Sequence, residues 1–201
     1  MDRVTRSWYE THAAHYVERT DSFEFFQGLE QDLLTFTAFL SNDATVIDLG
    51  SGSGRDARRL AESGHTVIAV DASLALLRHC LANAAPAQRI LGVNADLLDL
   101  PFASGSVGGV WACGSLLHLG REEIPAVLAR CFDILQAGAA IGVSMKEGNG
   151  SERRDDGRFF TYTSSQELSS WLSTAGFERI MVAGPSRNEW LLAIALKPGM
   201  S

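Results

Sequence analysis

The sequence predicts an α/β fold: a doubly wound, mostly parallel sheet of seven strands, closed by an antiparallel last strand. Three observations carry this expectation. Short apolar runs alternate with amphipathic helical patterns along the chain. The runs at 107–112 and 139–145 are almost unbroken in apolar character, as expected of strands buried on both faces of a parallel sheet. The chain then finishes with two strand patterns, 177–183 and 189–196, separated only by residues 184–188. One domain is expected for 201 residues, with a helical N-terminal part (1–40) laid over a core (41–201).

Residues 1–20 carry Trp8, Tyr9, His12, His15 and Tyr16, with Tyr9, His12 and Tyr16 on one helical stripe. A second helix is expected over 23–40, with Phe25 or Phe26, Leu29, Leu33, Phe36 and Leu40 on its apolar face. The first strand, 46–49, leads into a glycine-rich turn, a short helix through Ala57, Leu60 and Ala61, a stop at Gly64 and a second strand, 66–70, ending on Asp71. Ser73 is an N-cap residue for a helix marked by Leu74, Leu77, Leu81 and Ala84 and ended by Pro86. The third strand is 89–93 and is followed at once by Asp96. After the fourth strand comes Cys113-Gly114-Ser115-Leu116-Leu117-His118. A helix over 122–135 has Pro125 in its first turn and Gly138 beyond its end. Residues 146–157 are a long polar loop. Ser164 and Glu167 form a capping box for the last helix, whose face is Leu168, Trp171, Leu172 and Ala175.

The turn after the first strand admits two ligands. A dinucleotide would favour Gly-x-Gly-x-x-Gly and a helix N-terminus free for pyrophosphate. Here the spacing is Gly50, Gly52, Gly54, Arg55 follows, and Asp48 would repel a diphosphate. S-adenosylmethionine instead offers an ammonium, which suits a carboxylate such as Asp48, and a ribose diol, which suits an acid at the next strand end, Asp71. The glycines let backbone approach a ligand closely.

The stretch V-I-D-L-G-S-G-S-G resembles the first motif of class I S-adenosylmethionine-dependent methyltransferases, with Ser51 where Cys is usual. The resemblance extends over about residues 9–196, and the closing hairpin is the ending that family has. It implies S-adenosylmethionine as cofactor, S-adenosylhomocysteine as product, and N-terminal helices over the cofactor site. Tyr16, Asp48, Gly50, Ser51, Gly52, Gly54, Arg55, Asp71, Ala72, Asp96, Leu97 and Cys113 are then the expected cofactor residues. The resemblance further implies that Tyr16, or in second place Tyr9, reaches the methionine carboxylate, that Asp96 accepts from the adenine amino group, and that Leu97 N–H binds a ring nitrogen. His118, after the fourth strand, is the expected catalytic base or a substrate contact. Tyr9, Lys146, Arg158, Tyr162 and Arg187 join it on the substrate side, and Lys146, Arg158 and Arg187 favour an anionic acceptor. Trp111 either stacks near the adenine or belongs to the core.

Composition narrows the classes further. The net charge is −7 and the pI near 5.2, and acids interrupt the arginine clusters, which disfavours nucleic acid. Nothing has the length of a membrane span, the N-terminus has no apolar signal core, and three cysteines without metal-ligand spacing suit a reducing compartment, so a cytoplasmic monomer or homodimer is expected. No metal site is expected: Asp155 and Asp156 are neighbours with no histidine near. The function expected is methyl transfer to oxygen or nitrogen of a small metabolite; the alternatives are an NAD- or FAD-linked oxidoreductase and an RNA methyltransferase.

Overall fold

The computed structural model describes residues 1–187 and 189–199, and of residues 185–187 the backbone only. Two helices open the chain, α1 (Arg3–Thr11) and α2 (Ala13–Thr20), followed by a short 3-10 turn at Phe23–Phe25 and α3 (Leu29–Thr37). The core runs β1 (Thr45–Leu49), α4 (Arg55–Glu62), β2 (Thr66–Asp71), α5 (Leu74–Ala82), β3 (Ile90–Asn94), β4 (Val107–Cys113), α6 (Ile124–Ile134) and β5 (Leu135–Lys146). It closes with β6 (Ser151–Arg153), β7 (Phe159–Thr161), α7 (Ser165–Thr174), β8 (Glu178–Arg187) and β9 (Trp190–Leu196).

Seven strands form one sheet in the order β3-β2-β1-β4-β5-β9-β8, and β6 and β7 form a separate hairpin. The strands from β1 to β5 pair in parallel, and β9 runs antiparallel to both β5 and β8. The strand order reverses between β1 and β4, whose C-terminal ends open the crevice where such sheets bind ligands.

Alternation along the strands divides the core in two. Ile47, Leu49, Val110, Ala112, Ile141 and Val143 face α6 and α7, packing with Leu128, Cys131, Leu168 and Leu172. Their sequence neighbours Val46, Val67, Ala69, Trp111 and Ala140 face α3, α4 and α5, packing with Leu33, Phe36, Leu60 and Cys80. Both layers are almost fully buried, so the near-continuous apolar runs follow from burial on two faces.

Several sequence expectations are corrected. The N-terminal stripe is not one helix: His12 breaks it, is exposed, and stacks on Trp8 with ring centroids 4.8 Å apart. The helix expected over 23–40 begins only after Gly28, and Phe25 lies out in solvent, 59% exposed. On α5 the buried residues are Leu76, Leu77 and Cys80, whereas Leu74 and Leu81 stay exposed. β5 starts at Leu135, which pairs with Val107 before the register shifts, so Gly138 lies inside the strand. The polar loop at 146–157 holds half of the β6–β7 hairpin. The capping box is half formed: Ser164 Oγ accepts from Glu167 N–H at 3.2 Å, but Glu167 turns to Arg121 and Thr163.

Candidate active site

The glycine-rich turn is held by its own amides, which bond mainly to the end of β2. Gly50 and Ser51 N–H both donate to the Val70 carbonyl (2.8 and 3.0 Å), Gly52 N–H to Asp71 Oδ2 (2.8 Å) and Gly54 N–H to the Ser51 carbonyl (2.9 Å). These amides are therefore already spent, three on the end of β2 and one within the turn, leaving little for a pyrophosphate. Gly50 and Gly54 have φ of +79° and +87°, and a Cβ on them would lie 2.3 Å from Ser115 Cβ and 2.4 Å from Cys80 Sγ. These two glycines thus allow the turn to pack on the β4 loop and on α5, while Gly52 faces the Tyr16 ring.

Asp71 ends β2 with Oδ2 on Gly52 N–H and Oδ1 on Ser73 N–H (2.8 Å). Burial raises its pKa above the ordinary carboxylate value against the pull of those amides. Asp48 is buried more severely. Burial, with Asp56 and Asp71 close by, pushes its pKa well above the usual range, and Oδ2 has no partner among the described residues. Ser51 Oγ and Ser115 Oγ are likewise buried and unpartnered among the described residues. Asp56 joins Arg55 Nε (2.7 Å) to Trp111 Nε1 (2.9 Å), so Trp111 is core, anchored to the turn from behind.

Two cavities lie over the strand ends. The first, about 50 Å³, is floored by Gly50, Gly52, Asp71 and Ala72 and closed by Met1, Tyr9 and Tyr16; Leu97, Cys113 and Ser115 also line it. The second, about 220 Å³, is walled by Phe26, Leu29, Leu117, Phe160 and Trp190, with Arg55, Arg154 and Arg158 among its polar groups. The N-terminal helices are laced over both. Met1 amino nitrogen lies 2.9 Å from Asp96 Oδ1, Glu10 accepts from Ser73 Oγ (2.8 Å), and Thr5 Oγ1 accepts from Phe159 N–H (2.9 Å).

His118 sits between the cavities. Its Nδ1 lies 2.8 Å from the Phe159 carbonyl, which can only accept, so Nδ1 carries the hydrogen. Nε2 then accepts from the Tyr9 hydroxyl at 2.8 Å, and that oxygen accepts from Arg158 Nη1 at 3.3 Å. Burial lowers the His118 pKa to about 4 and raises that of Tyr9. Tyr16 is raised by burial as well, and its ring meets that of Tyr9 edge-on at 5.1 Å.

The structure thus brings Tyr9, Tyr16, Gly50, Gly52, Asp71, Ala72, Leu97, Cys113 and His118 around the first cavity. Arg55 lines the second instead, donating to the Thr20 carbonyl (3.0 Å) and lying over Phe26. Arg158 lines the second cavity, but Lys146 and Tyr162 do not. Lys146 Nζ stands 5.7 Å from the Trp190 ring, and the Tyr162 hydroxyl is tied to Glu152 and Arg154 on the hairpin. The Arg187 side chain lies outside the described residues. Arg154, Phe160, Phe26 and Trp190 escaped sequence reasoning. Phe26 and Trp190 carry only the apolar signal of the helix and strand expected there, and Arg154 and Phe160 only that of an aromatic residue near an arginine.

A methyltransferase-domain family model matches residues 46–138. The match spans just under half of the chain, from β1 to the start of β5, and includes the glycine-rich turn and Asp71. No curated protein sequence matches it. Among solved structures, the chain resembles Burkholderia thailandensis 1,6-didemethyltoxoflavin-N1-methyltransferase bound to 1,6-didemethyltoxoflavin and S-adenosylhomocysteine, at 22% identity and TM-score 0.77 over 97% of this chain and 88% of that one. DhpI in complex with S-adenosylhomocysteine gives 18%, 0.78, 98% and 97%. Haemonchus contortus phosphoethanolamine N-methyltransferase 2 gives 15% and 0.79, over 98% of this chain and 60% of that one. At such identities the structural likeness shows the fold that this chain shares with those enzymes. Among the described residues no group of three or more His, Cys, Asp or Glu is arranged to hold a metal, and no helix is long and apolar enough to cross a membrane.

Proposed function

We propose that the chain transfers a methyl group from S-adenosylmethionine to an oxygen or nitrogen of a small metabolite, with the donor in the first cavity and the acceptor in the second. The observation that carries this reading is the shared wall: Tyr9, Tyr16, Cys113, Gly114 and His118 line both cavities. Transfer takes place where those residues meet.

The first cavity fits the cofactor chemically. Asp71 keeps lone pairs free for a diol beyond the two amides it accepts, and Ser115 Oγ adds unspent polar capacity in the same lining, with the unpartnered Asp48 carboxyl buried behind it. Ala72 and Leu97 supply the apolar sides of an adenine slot, while the Asp96 carboxylate, outside that lining, is taken up by the Met1 amino group and Leu98 N–H. Its volume is far below the roughly 300–1,000 Å³ of ligand pockets, so α1 and α2 must yield for the cofactor to enter. S-adenosylmethionine supplies, when bound, a methyl carbon activated by a sulfonium, which leaves alignment and removal of any acceptor proton to the protein.

The side chains available for that work are Tyr9 and His118. A ring that stays neutral down to about pH 4 is a weak proton acceptor at neutral pH. His118 therefore serves mainly to orient the Tyr9 hydroxyl, which stands between His118 Nε2 and the acceptor cavity. The names of two structural neighbours, an N1-methyltransferase and a phosphoethanolamine N-methyltransferase, support a nitrogen acceptor on a small molecule.

Calorimetry with S-adenosylhomocysteine and NAD tests the donor half. Micromolar binding of the first and none of the second is expected, and the reverse pattern would overturn the reading.

A further inference from the structure

We infer that the second cavity selects an acceptor bearing a carboxylate or phosphate on a flat apolar body, and that Arg154 and Arg55 are the residues that select it. The inference rests on placing the acceptor in that cavity.

The charges around the cavity are layered. Arg55, Arg154 and Arg158 line it, and among the described residues no Asp or Glu does. Their counter-ions stand behind: Asp56 holds Arg55 (2.7 Å), Asp156 holds Arg158 (2.7 Å), and Glu152 lies 3.4 Å from Arg154. A ligand therefore meets guanidinium first, in a partly buried space where screening is weak.

The aromatic walls point the same way. Phe, Tyr and Trp faces commonly hold ammonium groups, yet the Phe26 face carries the Arg55 guanidinium at 4.7 Å and the Phe160 face that of Arg154 at 4.1 Å. These faces are taken by cations that cannot be discharged. A cationic acceptor would meet three guanidiniums and no carboxylate.

Hydrogen-bonding capacity remains where an anion needs it. Arg55 spends Nε on Asp56 and Nη1 on the Thr20 carbonyl. Arg154 spends Nη2 on the Tyr162 hydroxyl and Nε on Glu152. Arg55 Nη2 and Arg154 Nη1 have no partner among the described residues, whereas Arg158 gives Nε and Nη2 to Asp156 and Nη1 to Tyr9. The two open positions can hold an anion, while Phe26, Phe160, Leu117 and Trp190 flank its apolar body. A volume of about 220 Å³ limits that body to one or two rings.

The test is calorimetry on the full chain saturated with S-adenosylhomocysteine, using benzoate, phenyl phosphate, benzamide and benzylamine as probes. One or both anions should bind at least about tenfold more tightly than benzamide, and benzylamine not at all. Arg154→Gln should reduce the anion preference to less than threefold, Arg154→Lys should restore part of it, and neither should change S-adenosylhomocysteine affinity. Binding of benzylamine as tight as that of the anions, or failure of both anions to exceed benzamide, would overturn the inference. If S-adenosylhomocysteine itself does not bind, the donor assignment fails instead, and the same four probes still report the charge preference of the cavity in the free protein.

Discussion

The floor of the first cavity comes from one stretch of chain, β1 to β2, and is held mostly by backbone; the walls of the second come from at least six separated segments and are mostly side chains. In the first, the turn amides bond to Val70, Asp71 and Ser51, and glycines let it press on Ser115 and Cys80. In the second, α1, α2, the Phe26–Leu29 bend, Arg55 and the start of β9 each give one or two groups, the β6–β7 hairpin gives three and the segment from Cys113 to His118 gives four. Backbone sites tolerate little change in geometry but much change in neighbouring side chains. Side-chain sites behave in the opposite way, so the second cavity is where specificity can be altered without loss of the fold.

That contrast can be broken most severely at Gly54. A valine there combines a left-handed backbone with a Cβ 2.4 Å from Cys80 Sγ, and should cost about 3 kcal/mol or more in denaturant unfolding. A variant with the wild-type midpoint would show that the turn is not backbone-limited. The next effect belongs to the boundary between the cavities. His118 is held neutral, with a pKa of about 4 in the folded chain against about 6.5 unfolded. Below pH 6.5 the unfolded chain takes up a proton that the folded chain refuses, so stability should fall by roughly 3 kcal/mol as pH drops from 6.5 to 4. His118→Gln should show a smaller drop over that window, and parallel urea curves for both proteins would refute the assignment.

Asp71→Asn tests the backbone half by removing the charge that accepts from Gly52 and Ser73. S-adenosylhomocysteine affinity should fall about 10- to 100-fold by calorimetry, and unchanged affinity would take Asp71 out of the site. The smallest effect is expected for Tyr9→Phe, which leaves His118 Nε2 and Arg158 Nη1 without their shared partner. It should lower kcat about tenfold with little change in cofactor affinity. A change confined to affinity would mean that Tyr9 only covers the first cavity.

The same contrast explains what could be read in advance. The succession of strands, the closing hairpin and the glycine turn rest on local patterns, whereas the strand order comes only from the folded sheet; Asp71 and the glycines stand out because neighbours in sequence build that floor. Arg154 and Phe160 carry no periodicity that marks them, since their meaning arises when a two-stranded hairpin folds over a loop some forty residues earlier. Lys146 misled for a related reason. A charge at a buried strand end suggests a crevice, but its ammonium turns to the Trp190 ring. Trp111 could be core or ligand until its indole was found hydrogen-bonded to Asp56 behind the turn.

Tyr9 and Tyr16, carried on α1 and α2, close the first cavity and form part of the second. A displacement of those helices large enough to admit one ligand also unroofs the other. Arrival and departure of the two ligands then share a single conformational barrier, and turnover is paced by that opening whenever methyl transfer is faster.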